Sequence, residues 1–254
     1  MTTAAILEVS GLSKSFGAVR AVDDVSFSMQ SGIIVALIGP NGAGKTTCFN
    51  LINGQLQPDK GTIRISGCDI SSWSSRAIFH LGVGRTFQVA EVFSSMTVRE
   101  NVQVALLSQA RRRVNFWSSA KALYAQEAED LLQQVGLGSQ ADRPCSILAY
   151  GDLKRLDLAV GLANEPRVLL MDEPAAGMAP ADRLKLMALT VKIVRQRNIG
   201  VLFTEHDMDI VFRFAHALIV FDRGKIIASG VPAEVRKDPN VQRIYLGSKA
   251  DQCS

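Results

Sequence analysis

The chain has 254 residues, of which 47% are hydrophobic and 20% charged; that is enough to bury a full core as one large α/β domain or two small ones, and it excludes a fibrous or low-complexity class. The net charge of +4 permits a nucleic-acid partner or an acidic membrane surface but requires neither. No apolar run approaches the ~20 residues of a membrane-spanning helix, and even the stretch from Ile210 to Phe221 is short and carries Arg213 and His216.

Met1-Thr2-Thr3-Ala4-Ala5 lacks the basic region of a signal peptide, so a soluble, cytosolic chain is expected. Ile6 to Val9 predicts a first strand. Ser15-Phe16-Gly17 then sets an aromatic ring on a turn, where it serves either as a core side chain or as a face for a purine. Val25, Phe27 and Met29 alternate with Asp24, Ser26 and Ser28, the period of a half-buried antiparallel strand.

The apolar run Ile33 to Ile38 leads into Gly39-Pro40-Asn41-Gly42-Ala43-Gly44-Lys45-Thr46-Thr47 and a segment able to form a helix. This is the G-x-x-x-x-G-K-[ST] pattern in its strand–loop–helix setting. Glycines let the backbone wrap a phosphate so that successive N–H groups point at it, and the helix N-terminus adds partial positive charge. Lys45 supplies a full charge for the β- and γ-phosphates, and the Thr46 hydroxyl is placed to ligate Mg²⁺. The expected ligand is a nucleoside triphosphate.

Asn53-Gly54 stops that helix, Pro58-Asp59-Lys60-Gly61 is a turn, and Thr62 to Ile65 a short strand. Gly84-Arg85-Thr86-Phe87-Gln88 follows, in which Gln88 taken alone is an ordinary polar loop residue. From Met96 to about Ala163 the apolar spacing is helical, at Val98, Val102, Ala105 and Leu106 and again at Leu123, Ala128, Leu131, Leu132 and Val135. Arg111-Arg112-Arg113 is a solvated face or a contact to phospholipid headgroups. Arg167-Val168-Leu169-Leu170-Met171 predicts a strand buried on both faces, ending in Asp172 and Glu173 where open α/β sheets bind ligands. Asp172 is suited to hold Mg²⁺ and Glu173 to polarise an attacking water. Pro180 opens a helix to about Arg197; Gly200 to Phe203 is another buried strand, and His206 lies at its end. A hairpin is expected over Leu218–Ala228, then short helices from Pro232 and over Val241–Leu246, with a frayed tail at 248–254. Cys48, Cys68, Cys145 and Cys253 form no C-x-x-C pair, which favours free thiols in a reducing compartment. These elements predict an α/β fold: a P-loop NTPase core with a small antiparallel β subdomain and an inserted α-helical subdomain at about residues 89–163.

The order phosphate loop, Gln88, Leu148-Ala149-Tyr150-Gly151-Asp152, Asp172-Glu173, His206 resembles the ATP-binding subunit of ABC transporters, over residues 7–247. The stretches Leu148 to Gly151, Glu173 to Met178, Thr204 to Met208 and Val241 to Gly247 are similar to the ATPases of the branched-chain (hydrophobic) amino acid uptake family. The resemblance implies ATP and Mg²⁺ as cofactors, Phe16 stacked on adenine, and Gln88 sensing metal and water. It implies Leu148 to Asp152 as the signature segment closing over the γ-phosphate of an opposite ATPase subunit. Glu173 becomes the catalytic base and His206 the γ-phosphate contact. The helical block becomes the face that grips a membrane-spanning permease at the cytoplasmic side of the cell membrane, with a solute-binding protein as an indirect partner and no nucleic acid. Ala149 stands where the commonest signature has serine, and Ala179 where the loop after Glu173 commonly carries aspartate. Those departures, with the family's common use of two different ATPases, imply a heterodimer with a second homologous ATPase. Urea or amides, aromatic acids and lipopolysaccharide export remain alternative cargoes, and a soluble ATPase acting on nucleic acid or ribosomes an alternative class.

Overall fold

Alternating and continuous apolar patterns sort the strands into two sheets. The structure is a computed structural model and describes residues 5–109 and 123–243. The alternating strands β1 (Ala5–Phe16) and β2 (Val19–Gln30) pair antiparallel, with Leu7 opposite Met29 and Val9 opposite Phe27. β4 (Lys60–Ile65) lies on the other side of β1 and β5 (Cys68–Asp69) at the edge, giving the order β2-β1-β4-β5. One face of this sheet is buried, through Leu7, Val9, Val25, Met29, Ile63 and Ile65.

The continuous apolar runs form the second sheet. Its parallel members are β3 (Ile34–Ile38), β6 (Val83–Thr86), β7 (Val168–Asp172), β8 (Gly200–Thr204) and β9 (Ala217–Asp222). β10 (Lys225–Gly230) closes the edge antiparallel to β9, in the order β10-β9-β3-β8-β7-β6. All residues of β3 and β8 are buried, as a strand covered on both faces requires. Ile34, Ala36 and Ile38 point into one core with Leu156, Leu162 and Met187. Val35 and Leu37 point into the other, with Leu7, Ile63 and Phe49. That second core holds α1 (Lys45–Ile52), whose Cys48, Phe49, Leu51 and Ile52 are buried among the strands.

α2 (Ser75–Leu81) begins at Ser74, whose side chain accepts from Ala77 N–H. α3 (Val98–Gln109), α4 (Ala125–Gln134) and α5 (Tyr150–Leu162) pack on one another, and their apolar faces join the first core. α6 (Pro180–Arg197) starts at the expected proline and ends at Asn198 in a left-handed conformation, φ 53°. α7 (Met208–Phe214) and α8 (Pro232–Val235) follow, short 3-10 turns lie at Gly138–Gln140 and Cys145–Ile147, and residues 239–243 are helical again.

Several expectations shift. β1 runs on to Phe16, well past Val9, because register shifts at Val9/Leu12 and Lys14/Ser15 let it follow β2 around a bend. Phe16 therefore ends a strand and is 50% exposed, which rules out the core reading of its ring. β4 begins at Lys60, within the expected turn. Leu123 precedes α4 rather than belonging to it. Gly84 to Thr86, where no strand is expected from sequence, belong to the edge strand β6, and Gln88 lies in the loop beyond it. Arg111–Arg113, Cys253, residues 244–246 of the expected last helix and the tail at 248–254 lie outside the described residues.

β6 meets α5 glycine to glycine. A Cβ on Gly84 would stand 2.2 Å from the carbonyl oxygen of Gly161 and 3.1 Å from Leu169 Cδ1. Gly84→Ala is expected to destabilise the chain by about 1–3 kcal/mol through overpacking, seen as a lower urea midpoint at unchanged slope; an unchanged midpoint contradicts this packing.

Candidate functional site

β3, β8, β7 and β6 are consecutive neighbours, and all are parallel. Their C-terminal ends therefore lie side by side, and the loops leaving them deliver the phosphate loop, His206, Glu173 and Gln88 in that spatial order. Ligands bind open α/β sheets at this edge.

The loop after β3 turns sharply into α1. Gly44 has φ 105°, and a Cβ there would sit 2.1 Å from the carbonyl oxygen of Ala21, so only glycine fits. Ala43 O accepts from Gly224 N–H at 2.9 Å, which ties the loop to the β9–β10 turn. Lys45 is 7% exposed, and its Nζ donates to the carbonyls of Gly39 at 2.7 Å and Pro40 at 3.0 Å. Burial pulls the ammonium below its ordinary pKa, while Glu173 and Asp172 oppose that fall. Asn41 to Thr47, Asp172, Glu173, Thr204 and His206 share the wall of one cavity of about 410 Å³. Val19, Arg20, Ala21 and Arg223 complete its lining. Phe16 does not line it, but its strand partner Val19 does.

Asp172 and Glu173 are fixed by one hydroxyl. Thr204 Oγ1 donates to Asp172 Oδ1 at 2.8 Å and accepts from Glu173 N–H at 3.0 Å. Arg85 approaches the other Asp172 oxygen at 3.5 Å and donates to Asn50 and Gln55 at 2.8 and 3.0 Å. Glu173 has φ 44°, a conformation disfavoured for any side chain with a Cβ. The turn aims its carboxylate between two donors: Gln88 Nε2 donates to Oε2 at 2.7 Å, and His206 Nε2 lies 2.9 Å from Oε1 and donates when it carries the proton.

A further layer of polar side chains holds these loops. Glu205 is 5% exposed and accepts from Ala175 N–H and His206 N–H, each at 3.0 Å, so it joins the loop after Glu173 to the His206 turn. Arg183 repeats that link, donating to Met178 O and pairing with Asp207 at 2.9 Å. On α5, Asp157 accepts from Phe87 N–H at 3.1 Å, and burial pushes its carboxyl up to about 7. Lys154 donates to the carbonyls of Phe87 at 3.1 Å and Gln88 at 2.6 Å.

Leu148 to Asp152 stand apart from the cavity. Ala149 is the N-cap of α5, Tyr150 donates to Ala176 O at 3.3 Å, and the Asp152 carboxylate is engaged by Gln140 and Arg155. Among the described residues no group of three or more His, Cys, Asp or Glu side chains is arranged to hold a metal. The donors present, the Thr46 hydroxyl and the Asp172 carboxylate, fit a Mg²⁺ that takes its remaining ligands from phosphate and water. The arrangement combines an anion cradle, a buried cation and an oriented carboxylate, which is what attack of water on a phosphoanhydride needs. Sequence reasoning missed Thr204, Glu205, Arg85, Lys154 and Asp157 as structural parts of the site. The available signal was charge inside apolar stretches, as with Lys154 and Asp157 among Leu153, Leu156 and Leu158.

The chain is also similar to known proteins over most of its length. A family model described as ABC transporter matches residues 22–176, and one described as branched-chain amino acid ATP-binding cassette transporter matches residues 225–251. The high-affinity branched-chain amino acid transport ATP-binding protein BraF of Pseudomonas aeruginosa is 39% identical over 251 residues, covering 95% of this chain and 98% of BraF. The corresponding protein LivG of Escherichia coli is 36% identical over 249 residues, covering 95% and 98%. The crystal structure of the ADP conformation of an ATP-binding cassette of an ABC transporter superposes with a TM-score of 0.87 at 32% identity, covering 96% of this chain and 100% of that one.

The raised Asp157 pKa makes a pH prediction. The folded carboxyl keeps its proton up to about 7, whereas the unfolded one releases it near 3.8. The folded chain thus binds more protons between those values, and stability falls as pH rises through that window. Asp157→Asn cannot ionise and should lose this slope, so its melting temperature relative to the parent should climb from pH 4 to pH 7. A constant difference across the window contradicts the assignment.

Proposed function

Because the chain belongs to the ABC transporter family of ATP-binding subunits, we propose that it is the ATPase of an importer that takes up branched-chain amino acids or a similar small solute. The observation that carries the catalytic part is the Glu173 carboxylate held between Gln88 and His206 in the same cavity as Lys45. The solute class rests on the kinship with BraF and LivG.

In this reading the N–H groups of residues 41–47 and the Lys45 ammonium hold the β- and γ-phosphates of ATP. Thr46 and Asp172, with Gln88 nearby, would hold the Mg²⁺ of Mg–ATP, which when bound would supply positive charge to the phosphates. Glu173 takes a proton from water as the water oxygen bonds to the γ-phosphorus and the bond to ADP breaks. His206 contacts the γ-phosphate and keeps Glu173 aimed. Phe16 stacks on adenine beside Val19. Leu148, Ala149, Tyr150, Gly151 and Asp152 close over the nucleotide of the opposite subunit, so nucleotide and partner are gripped together and released after hydrolysis.

The chain works against membrane-spanning permease subunits at the cytoplasmic face, with a solute-binding protein acting through them. No described helix is long and apolar enough to cross a membrane, which supports a peripheral attachment. The proposed dimer partner is a second, homologous ATPase. Ala149 and Ala179 are both helix N-caps without a side-chain cap bond. A homodimer would duplicate both, leaving each nucleotide without a hydroxyl donor from the signature; a distinct partner can supply one. Hydrogen bonds to a charged group contribute ~1.5–3 kcal/mol.

The variant Glu173→Gln checks both parts. It should keep ATP affinity while hydrolysis in the assembled complex slows by roughly 10²–10⁴-fold, the usual contribution of a positioned base. With ATP and Mg²⁺ the isolated variant should remain mostly monomeric by mass. Near-normal turnover removes Glu173 from the chemistry, and a tight homodimer in an intact transporter lacking a second ATPase removes the heterodimer.

A further inference from the structure

We infer that Lys154 and Asp157 are positioning residues for hydrolysis: they fasten the helix of the signature segment to the backbone at Phe87 and Gln88, and so set where the Gln88 amide meets Glu173. The inference rests on the function proposed above for Gln88 and Glu173.

The parallel ladder between β6 and β7 ends at Thr86 opposite Met171. Beyond it the backbone of Phe87 and Gln88 leaves the sheet, and α5 takes over its hydrogen bonds. Asp157 Oδ2 accepts from Phe87 N–H at 3.1 Å, and Lys154 Nζ donates to Phe87 O at 3.1 Å and Gln88 O at 2.6 Å. The two side chains are one helical turn apart and only 3% and 2% exposed. Burying an ammonium and a carboxyl group is costly, and apolar packing of a helix on a strand end would need neither. What the pair adds is direction, since three bonds fix three consecutive peptide units from one rigid helix.

That helix begins at Tyr150, inside the signature segment. The Gln88 side chain in turn donates to Glu173 Oε2 at 2.7 Å. A displacement of the start of α5 is thus transmitted along one helical turn to the backbone of Phe87 and Gln88, and from there to the carboxylate. Closure of the signature segment over the nucleotide of one subunit would then adjust the water-activating group of the nucleotide bound here.

The test is a double-mutant cycle on kcat in the complex purified with its membrane subunits, using Gln88→Ala, Lys154→Met and the pair, with Mg–ATP. Lys154→Met should lower kcat roughly 10-fold, within the ~10²-fold that an ångström of misplacement costs, while KM for ATP stays within about twofold. The double variant should be no slower than Gln88→Ala alone, because both act through one group. Lys154→Arg keeps donors for both carbonyls and should recover most of kcat. Losses that multiply in the double variant, a raised KM at unchanged kcat, or no rescue by Lys154→Arg would overturn the inference while leaving the role of Gln88 intact. If Gln88→Ala turns over at the parental rate, the Gln88 role fails and the inference fails with it. Melting curves check the fold of each variant; if Lys154→Met does not fold, Lys154→Gln runs the same cycle.

Discussion

The hydroxyl of Thr204 is the contact on which the site depends. It donates to Asp172 and accepts from the N–H of Glu173, so the last residue of β8 fixes the turn that ends β7. That turn places Glu173 at positive φ, where its two oxygens face Gln88 on one side and His206 on the other. The arrangement is possible only because β8, β7 and β6 are adjacent and parallel, with their ends at one level. A one-strand change in sheet order would separate the carboxylate from one of its two donors.

Charge balance follows from the same geometry. Lys45 is buried among backbone carbonyls, and burial alone would favour its neutral form. Asp172 and Glu173 across the cavity oppose that tendency, so a cation is held ready in a place that water reaches poorly. Groups already oriented before charge develops cost no reorganisation during the reaction. Glu205 and Arg183 serve the loops rather than the cavity, tying the turn after Glu173 to the turn at His206.

The legible parts of the sequence were those where chemistry stands at the end of an apolar run. Gly39 to Thr47 after Ile33–Ile38, Asp172-Glu173 after Val168–Met171 and His206 after Gly200–Phe203 all fall at strand ends, and the structure brings them together. β6 was illegible because Val83-Gly84-Arg85-Thr86 has no apolar run. Its glycine is set by the approach of Gly161 and its arginine by Asn50, Gln55 and Asp172, all distant in sequence. Phe16 was ambiguous for a related reason: its exposure depends on the bulged course of β1, which a local pattern does not carry. Lys154 and Asp157 look like ordinary helix charges until the helix is seated on the end of β6.

We propose that the four strand ends form one ATP site. Hydrogen–deuterium exchange of the full chain with and without Mg–ATP tests it most directly. Slowed exchange is expected to concentrate at residues 41–47, with smaller effects at 172–176 and 204–207. Exchange that is unchanged at 41–47, or slowed only at the opposite pole of the sheet around Arg195, Arg213 and His216, would contradict it.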